Sequence, residues 1–342
     1  MRIHKFSTTD AFVAIDLEGA EAASGPVRWA RKVLQGGAKD LARSQTYTYA
    51  ALGMRRGGAS AGISAEGPDR AAALRAFTAE AADLVGDHTY LPDAAKGIAP
   101  DELTSLHAAD PRDTARLGEF GARCEGLSAA VTAEQVLAGL DGRRVSIDGF
   151  DASGPALAAA VTDRGATIVS ISTAKGCVTN GAGFPLAVLA ESWNSNGHDL
   201  VSDLGEVGAA TEVFAAGADV VFAGSKMGII DHGVAAGLAN SASAVIPIGR
   251  LPFTARALAV LRRADVIVPA DFVSLAGSTI AAWGDPSRGD DEIVDAITAS
   301  ITDLCAELAG HPDGPLLAAC YHAEAYLSTW QTDLPFGRPL AP

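Results

Sequence analysis

Two hydrophobic textures divide the chain. Up to about residue 125, apolar residues recur mainly at helical spacing. In residues 71–85, Leu74, Phe77, Ala81 and Leu84 fall on one face with charges opposite, which predicts a surface helix with one buried side. From Arg143 onward the pattern changes to short runs rich in Val and Ile at residues 143–148, 166–172, 218–224, 243–249 and 264–269. Apolar runs of this length, separated by helical stretches, predict parallel strands buried on both faces. Right-handed crossovers then give a doubly wound sheet. The crossover helices are expected at residues 155–163, 209–216, 232–239 and 254–263. Beyond Asp290, the spacing of Ile293, Ile297, Ile301 and Leu304 predicts another amphipathic helix, and a last one is expected over 316–330. The fold class is therefore α/β, with an N-terminal α/β domain over 1–128 and a Rossmann-like domain over 129–314. Residues 315–342 are expected to join the first domain.

Composition narrows the function. The 342 residues are 48% hydrophobic, enough for two sizeable cores. Lys and Arg number 26 against 41 Asp and Glu, a net charge of −15 without a basic stripe, which excludes nucleic acid as a partner. Only six of the cations are lysines, at positions 5, 32, 39, 96, 175 and 226, so lysine chemistry has few candidates. No run is long and apolar enough to predict a membrane span, and the first ten residues lack the apolar centre of a signal peptide, so a cytoplasmic protein is expected. Four scattered cysteines and seven dispersed histidines form no ligand cluster, and no metal site is predicted.

The strongest local signal is the strand, turn and helix over residues 145–163. A dinucleotide turn reads G-x-G-x-x-G: the first Gly permits the turn, the second admits the pyrophosphate, and the third lets helix pack on strand. Gly149 and Gly154 fit the first and third places, whereas the middle place is Asp151. Its carboxylate would face two phosphates, each such contact costing on the order of 4 kcal/mol at about 4 Å and an effective dielectric near 20. The alternative role for Asp151 is to cap the following helix. The acid that usually follows for the ribose hydroxyls is also absent. Ser172, Thr173 and Lys175 stand at the second strand end, either as a seat for the 2′-phosphate of NADP or as a solvated edge.

In order and spacing these features resemble the glutamate/leucine/phenylalanine/valine dehydrogenase family, from about Gly25 to the C-terminal helix. The matching stretches are Gly25-Pro26, Thr46-Tyr47 with Ala50-Ala51-Leu52-Gly53, Gly57-Gly58, the turn at Gly149, residues 218–221 and residues 267–277. The resemblance implies a substrate domain followed by a dinucleotide domain, oxidative deamination of L-amino acids with NAD or NADP, and a homo-oligomer. It also implies two working lysines, one binding the substrate carboxylate in T-Y-K-x-A-x-x-G and one serving proton transfer at the end of G-G-G-K. Here those positions are Thr48 and Ser60. A hydroxyl replaces neither a fixed cation nor a near-neutral base.

Other departures accompany these two. Trp29-Ala30 stands where the family has Gly-Gly, and Leu251 and Leu275 fall where it has asparagines. Asp93 corresponds to the family's catalytic Asp, although a one-residue shift would put Ala94 there. Arg28, Arg31, Lys32, Arg55 and Arg56 supply positive charge from other positions, and arginine binds carboxylates well but is a poor base. Simultaneous change at so many working positions predicts a retooled or non-catalytic protein of amino-acid or specialised metabolism, binding a small molecule in the interdomain cleft or serving as heteromeric partner of an active homologue. The alternative is an NADP-dependent oxidoreductase acting on an unusual amino, imino or 2-oxo acid, using Asp93 and an arginine.

Overall fold

The computed structural model describes residues 1–334 and 337–340. The chain divides into two compact units, one of Met1–Gly118 with Cys320–Pro339 and one of Glu119–Ala319 with Leu340–Pro342. The first unit contains β1 (Arg2–Lys5), β2 (Ala11–Ile15), β3 (Ala23–Ala30), α1 (Gln35–Ala51), β4 (Gly57–Ser64), α2 (Arg70–Gly86) and β5 (Leu91–Ala94). Its sheet has the order β1-β2-β4-β3-β5, with β3 parallel to both β4 and β5 and the other pairs antiparallel. All five residues of β2 are buried, as an apolar AFVAI run requires. Helix α2 buries Leu74, Phe77 and Ala81 as the spacing predicts, with Val85 rather than Leu84 completing the buried stripe. Phe77 stacks on Phe6 with ring centroids 4.9 Å apart.

The second unit runs α3 (Glu119–Leu137), β6 (Arg144–Asp148), α4 (Gly154–Asp163), β7 (Thr167–Thr173), β8 (Gly176–Thr179), α5 (Leu186–Asn196), α6 (Leu200–Leu204), β9 (Val220–Ala223), α7 (His232–Leu238), β10 (Ala244–Pro247), α8 (Ala255–Arg263), α9 (Asp271–Ser274), α10 (Ala276–Ala282) and α11 (Asp290–Leu308). Helix α12 (Pro315–Leu327) follows, its residues from Cys320 belonging to the first unit. Residue 128 lies within α3. The sheet order is β10-β9-β6-β7-β8, parallel except for β8. Strand alternation fills both faces. Val145, Ile147, Val220 and Phe222 enter one core, while Val221, Ala223 and Val245 enter the other.

Three expectations are corrected. Residues 264–269 form no strand: Ile267 makes a single parallel bridge to Ala244 before Pro269 and α9 end the pairing. Residues 209–216 wind as the 3-10 turn Ala210–Ala215 instead of an α-helix. Finally, β7 does not lead directly into a crossover but turns back at Ala174-Lys175 to pair with β8 as an antiparallel edge.

Helices α3 and α10 cross closely at Gly277, where an added Cβ would overlap the Cys124 carbonyl and stand 2.9 Å from Ser128 Oγ. Ser128 also donates to the Ser274 carbonyl at 2.6 Å. Gly277→Val should therefore destabilise the protein by about 3 kcal/mol, the upper part of the range for overpacked sites, measured as a lower denaturation midpoint at unchanged slope.

Candidate functional site

In the first unit, the residues singled out from sequence gather around Pro26 of β3. Pro26 is the register partner of Asp93 on β5, and its carbonyl accepts the Ser60 hydroxyl of β4 at 3.1 Å. Helix α1 lies against β4, with the Thr46 hydroxyl accepting the Gly58 amide at 2.9 Å. Thr48 is on that helix and donates back to the Ser44 carbonyl at 3.2 Å. Thr48 and Ser60 are both fully buried, so each hydroxyl is tied to a backbone carbonyl in a dry setting. Neither arrangement supplies a cation or a titratable group near neutral pH.

Asp93 accepts a short hydrogen bond from Arg112. Arg112 is almost fully buried and also grips Asp110 through Nε at 3.0 Å and Nη2 at 2.7 Å, and donates to the Pro92 carbonyl. Burial opposes the guanidinium charge, but Asp93 and Asp110 outweigh it and hold Arg112 above the usual arginine range. Sequence reading missed Arg112, because nothing local in Asp110-Pro111-Arg112 announces a partner nearly twenty residues earlier. Arg28, on β3, has the opposite character. It is partly buried, and its Nε and Nη2 have no hydrogen-bond partner among the described residues. Burial pulls its pKa below the usual value, with nearby Tyr90 opposing. A desolvated, incompletely bonded guanidinium is suited to a carboxylate. Of the other sequence candidates, Arg31 is exposed beside Glu66, and Arg55 lies over the Trp330 ring at 5.6 Å.

In the second unit the chain leaves β6 for β7 on one side, while β9 lies on the other, so the carboxyl ends of β6 and β9 flank the switch point of the sheet. Gly149 sits there with φ +88°, where a Cβ would stand 2.8 Å from the Ser225 amide. Gly154 meets the Phe150 ring, with 2.7 Å between an added Cβ and the nearest ring carbon. The two outer glycines thus perform their packing roles. Asp151 is exposed, and its Oδ1 accepts the Ser153 amide at 3.0 Å and the Ser153 hydroxyl at 2.9 Å. Its carbonyl accepts the Gly154 amide, while the Gly149 and Phe150 amides bond to the Ser172 carbonyl, and Pro155 has no N–H. A dinucleotide's pyrophosphate needs free amides at this point. Here four amides of the turn are already bonded and the Asp151 carboxylate stands beside them, which opposes a pyrophosphate.

The second strand end is equally occupied. Ser172 is buried and donates to Asp148 at 3.1 Å, and Thr173 donates to the His198 carbonyl at 2.7 Å. Lys175 is exposed in the turn and pairs with Asp199 at 3.1 Å. The Cys177 thiol is buried beside the Ser170 hydroxyl at 3.3 Å. Asp148 escaped the sequence reading, although an acid ending a buried apolar strand is an uncommon signal. Its carboxylate accepts the Gly224 and Ser225 amides at 3.2 and 3.1 Å, tying together the ends of β6, β7 and β9. Among the described residues no group of three His, Cys, Asp or Glu side chains is placed to hold a metal, and no helix is long and apolar enough to cross a membrane.

Burial raises the Asp148 pKa above its ordinary value, against the opposing hydrogen bonds from Ser225, Gly224 and Ser172. The native state therefore binds this proton more tightly than the unfolded chain does. Its contribution to stability is complete below the unfolded carboxylate pKa of about 3.9 and declines as pH rises through the raised native value. Urea unfolding across that window should show this falling component in the unaltered protein and its absence in Asp148→Asn. Removing Arg112 leaves buried Asp110 without its cation, so Arg112→Ala should cost about 3–5 kcal/mol in the same experiment at neutral pH.

Residues 122–283 match the family model described as Glutamate/Leucine/Phenylalanine/Valine dehydrogenase. Solved structures share the fold along nearly the whole chain. The hetero-hexameric glutamate dehydrogenase from Thermus thermophilus, in its Leu-bound form, superposes with a TM-score of 0.78 at 19% identity, covering 94% of this chain and 84% of that one. The L-tryptophan dehydrogenase from Nostoc punctiforme gives 0.65 at 19% identity, covering 96% and 95%. The Plasmodium falciparum glutamate dehydrogenase gives 0.74 at 16% identity, covering 94% and 79%. Residues 122–283, which carry the glycine turn and the doubly wound sheet, are thus similar to the glutamate/leucine/phenylalanine/valine dehydrogenase family, and the fold of the whole chain is that of the solved amino-acid dehydrogenases.

Proposed function

We propose that this chain keeps the amino-acid dehydrogenase fold without performing ordinary NAD(P)-dependent oxidative deamination, and acts as a retooled or non-catalytic protein of amino-acid or specialised metabolism. The observation that carries this reading is the state of Thr48 and Ser60. At the two positions where the family resemblance calls for lysines, both side chains are fully buried hydroxyls bonded to backbone carbonyls. Imine hydrolysis needs a group that takes up and returns a proton near neutral pH, and an aliphatic hydroxyl does neither. Asp93, the remaining polar residue of the site, gives a carboxylate oxygen to Arg112.

Ligand binding is a separate matter. Arg28 carries two N–H donors that the described residues leave unpaired; both are buried, so a carboxylate reaches them by displacing the side chains that cover them. The reading therefore includes an amino or 2-oxo acid held in the first unit by Arg28 and not turned over. Similarity to a hetero-hexameric protein supports a companion role beside an intact homologue. The competing reading, an NADP-dependent oxidoreductase for an unusual amino, imino or 2-oxo acid, would place the proton transfer on Asp93 and needs a nucleotide seat that Asp151 and Pro155 oppose.

Purified protein incubated with NAD or NADP and a panel of L-amino acids, and with the reduced nucleotides, 2-oxo acids and ammonia, should show no turnover above background. Turnover at rates ordinary for a dehydrogenase, about 1–10³ s⁻¹, would refute the proposal. Calorimetry should detect binding of some member of the acid panel to the unaltered protein. Arg28→Ala should weaken that binding about tenfold or more, the effect of losing charge-assisted hydrogen bonds of about 1.5–3 kcal/mol.

A further inference from the structure

Within the second unit, away from the glycine turn, a partly enclosed cavity of about 230 Å³ opens where the C-terminal turns of α3 and α11 meet the segment after Ile267. Val136, Ile267, Val273 and Leu308 form much of its wall, and Gln135 and His311 are the polar side chains that line it. Among the described lining residues there is no Asp, Glu, Lys or Arg. A charged ligand would lose its hydration there without gaining a counter-ion, a cost of several kcal/mol. An uncharged apolar one would lose little and gain dispersion contacts on several sides.

Size limits the occupant further. A dry apolar cavity of about 150 Å³ accommodates a benzene ring, so this one takes a molecule of about nine non-hydrogen atoms by the same proportion. The Cys305 thiol is part of the wall. Burial pushes its pKa up to about 11, with a hydrogen bond from Thr132 opposing, so at neutral pH it is an uncharged, polarisable surface. Its 9% exposure exceeds the 1%, 2% and 1% of Cys124, Cys177 and Cys320. Reagents should therefore reach Cys305 before the other three thiols.

We propose that this cavity is a binding site for an uncharged aromatic or branched-aliphatic small molecule about the size of indole, a site separate from the positions discussed for amino-acid chemistry. The site needs no nucleotide and no turnover, so it stands or falls independently of the function proposed above.

The test uses the full chain, with indole and toluene as probes and benzoate as a charged control of similar size. N-ethylmaleimide labelling at mildly alkaline pH is followed by peptide mass spectrometry. At millimolar concentrations, indole or toluene should slow labelling of Cys305 at least fivefold and raise the thermal midpoint, while benzoate should do neither. Val136→Phe, at a partly exposed wall position, fills the space and should abolish the protection while circular dichroism shows the fold retained. Ala309→Leu provides a second filling variant should the first not fold. Unchanged labelling with both neutral probes, equal protection by benzoate, or protection that survives in a folded filling variant would each overturn the proposal.

Discussion

Amides at the start of a helix attract anions because their N–H groups have no intrahelical partner. In the turn leading into α4 several such amides are taken up from inside. Asp151 binds the Ser153 amide through its side chain and the Gly154 amide through its carbonyl, Ser172 holds the two amides before them, and Pro155 has none. The anion attracted to this helix start is thus the protein's own carboxylate. The rest of the turn keeps the dinucleotide-binding shape, with Gly149 against Ser225 and Gly154 against Phe150. Both glycines stand where an added side chain would collide with neighbouring atoms.

The first unit has a similar arrangement. The packing glycine Gly58 remains under α1, and the core around β2 is closed. The polar positions are built inward: Thr48 and Ser60 bond to backbone, and Asp93 and Asp110 share the guanidinium of Arg112. Such a buried cation between two carboxylates is strongly destabilising to break but contributes little beyond an apolar replacement. What it does here is fix the position of Asp93, and it leaves Arg28 as a partly buried cation without a full set of partners.

Much of the fold was legible because it rests on local pattern. The Val- and Ile-rich runs became β6, β7, β9 and β10, and the helical spacing of Ile293, Ile297, Ile301 and Leu304 became the buried stripe of α11. Residues 264–269 had the same texture but lay at the sheet edge, where Pro269 ends pairing after one bridge, and edge position is not encoded in a short apolar run. The hairpin to β8 was missed because Gly176-Cys177-Val178-Thr179 is too short to show a period. Asp151 does not cap α4, whose N-cap is Ser153 without a side-chain cap bond; its carboxylate closes an Asx turn onto Ser153 instead, a local chemistry close to the capping alternative. Asp148 and Arg112 were not visible, because their partners are 19 or more residues away in sequence or, like Asp110, nearby but unremarkable as a loop acid.

The central claim, that the dinucleotide turn is filled by the protein's own groups, is tested most directly by equilibrium binding of NADPH and NADH to the purified chain. Energy transfer from tryptophan to the reduced nicotinamide reports docking, and calorimetry provides an independent signal. The account predicts no saturable binding up to millimolar nucleotide, and no change in that result with ionic strength. Saturable micromolar binding, with transfer abolished by excess unlabelled NAD or NADP, would contradict it.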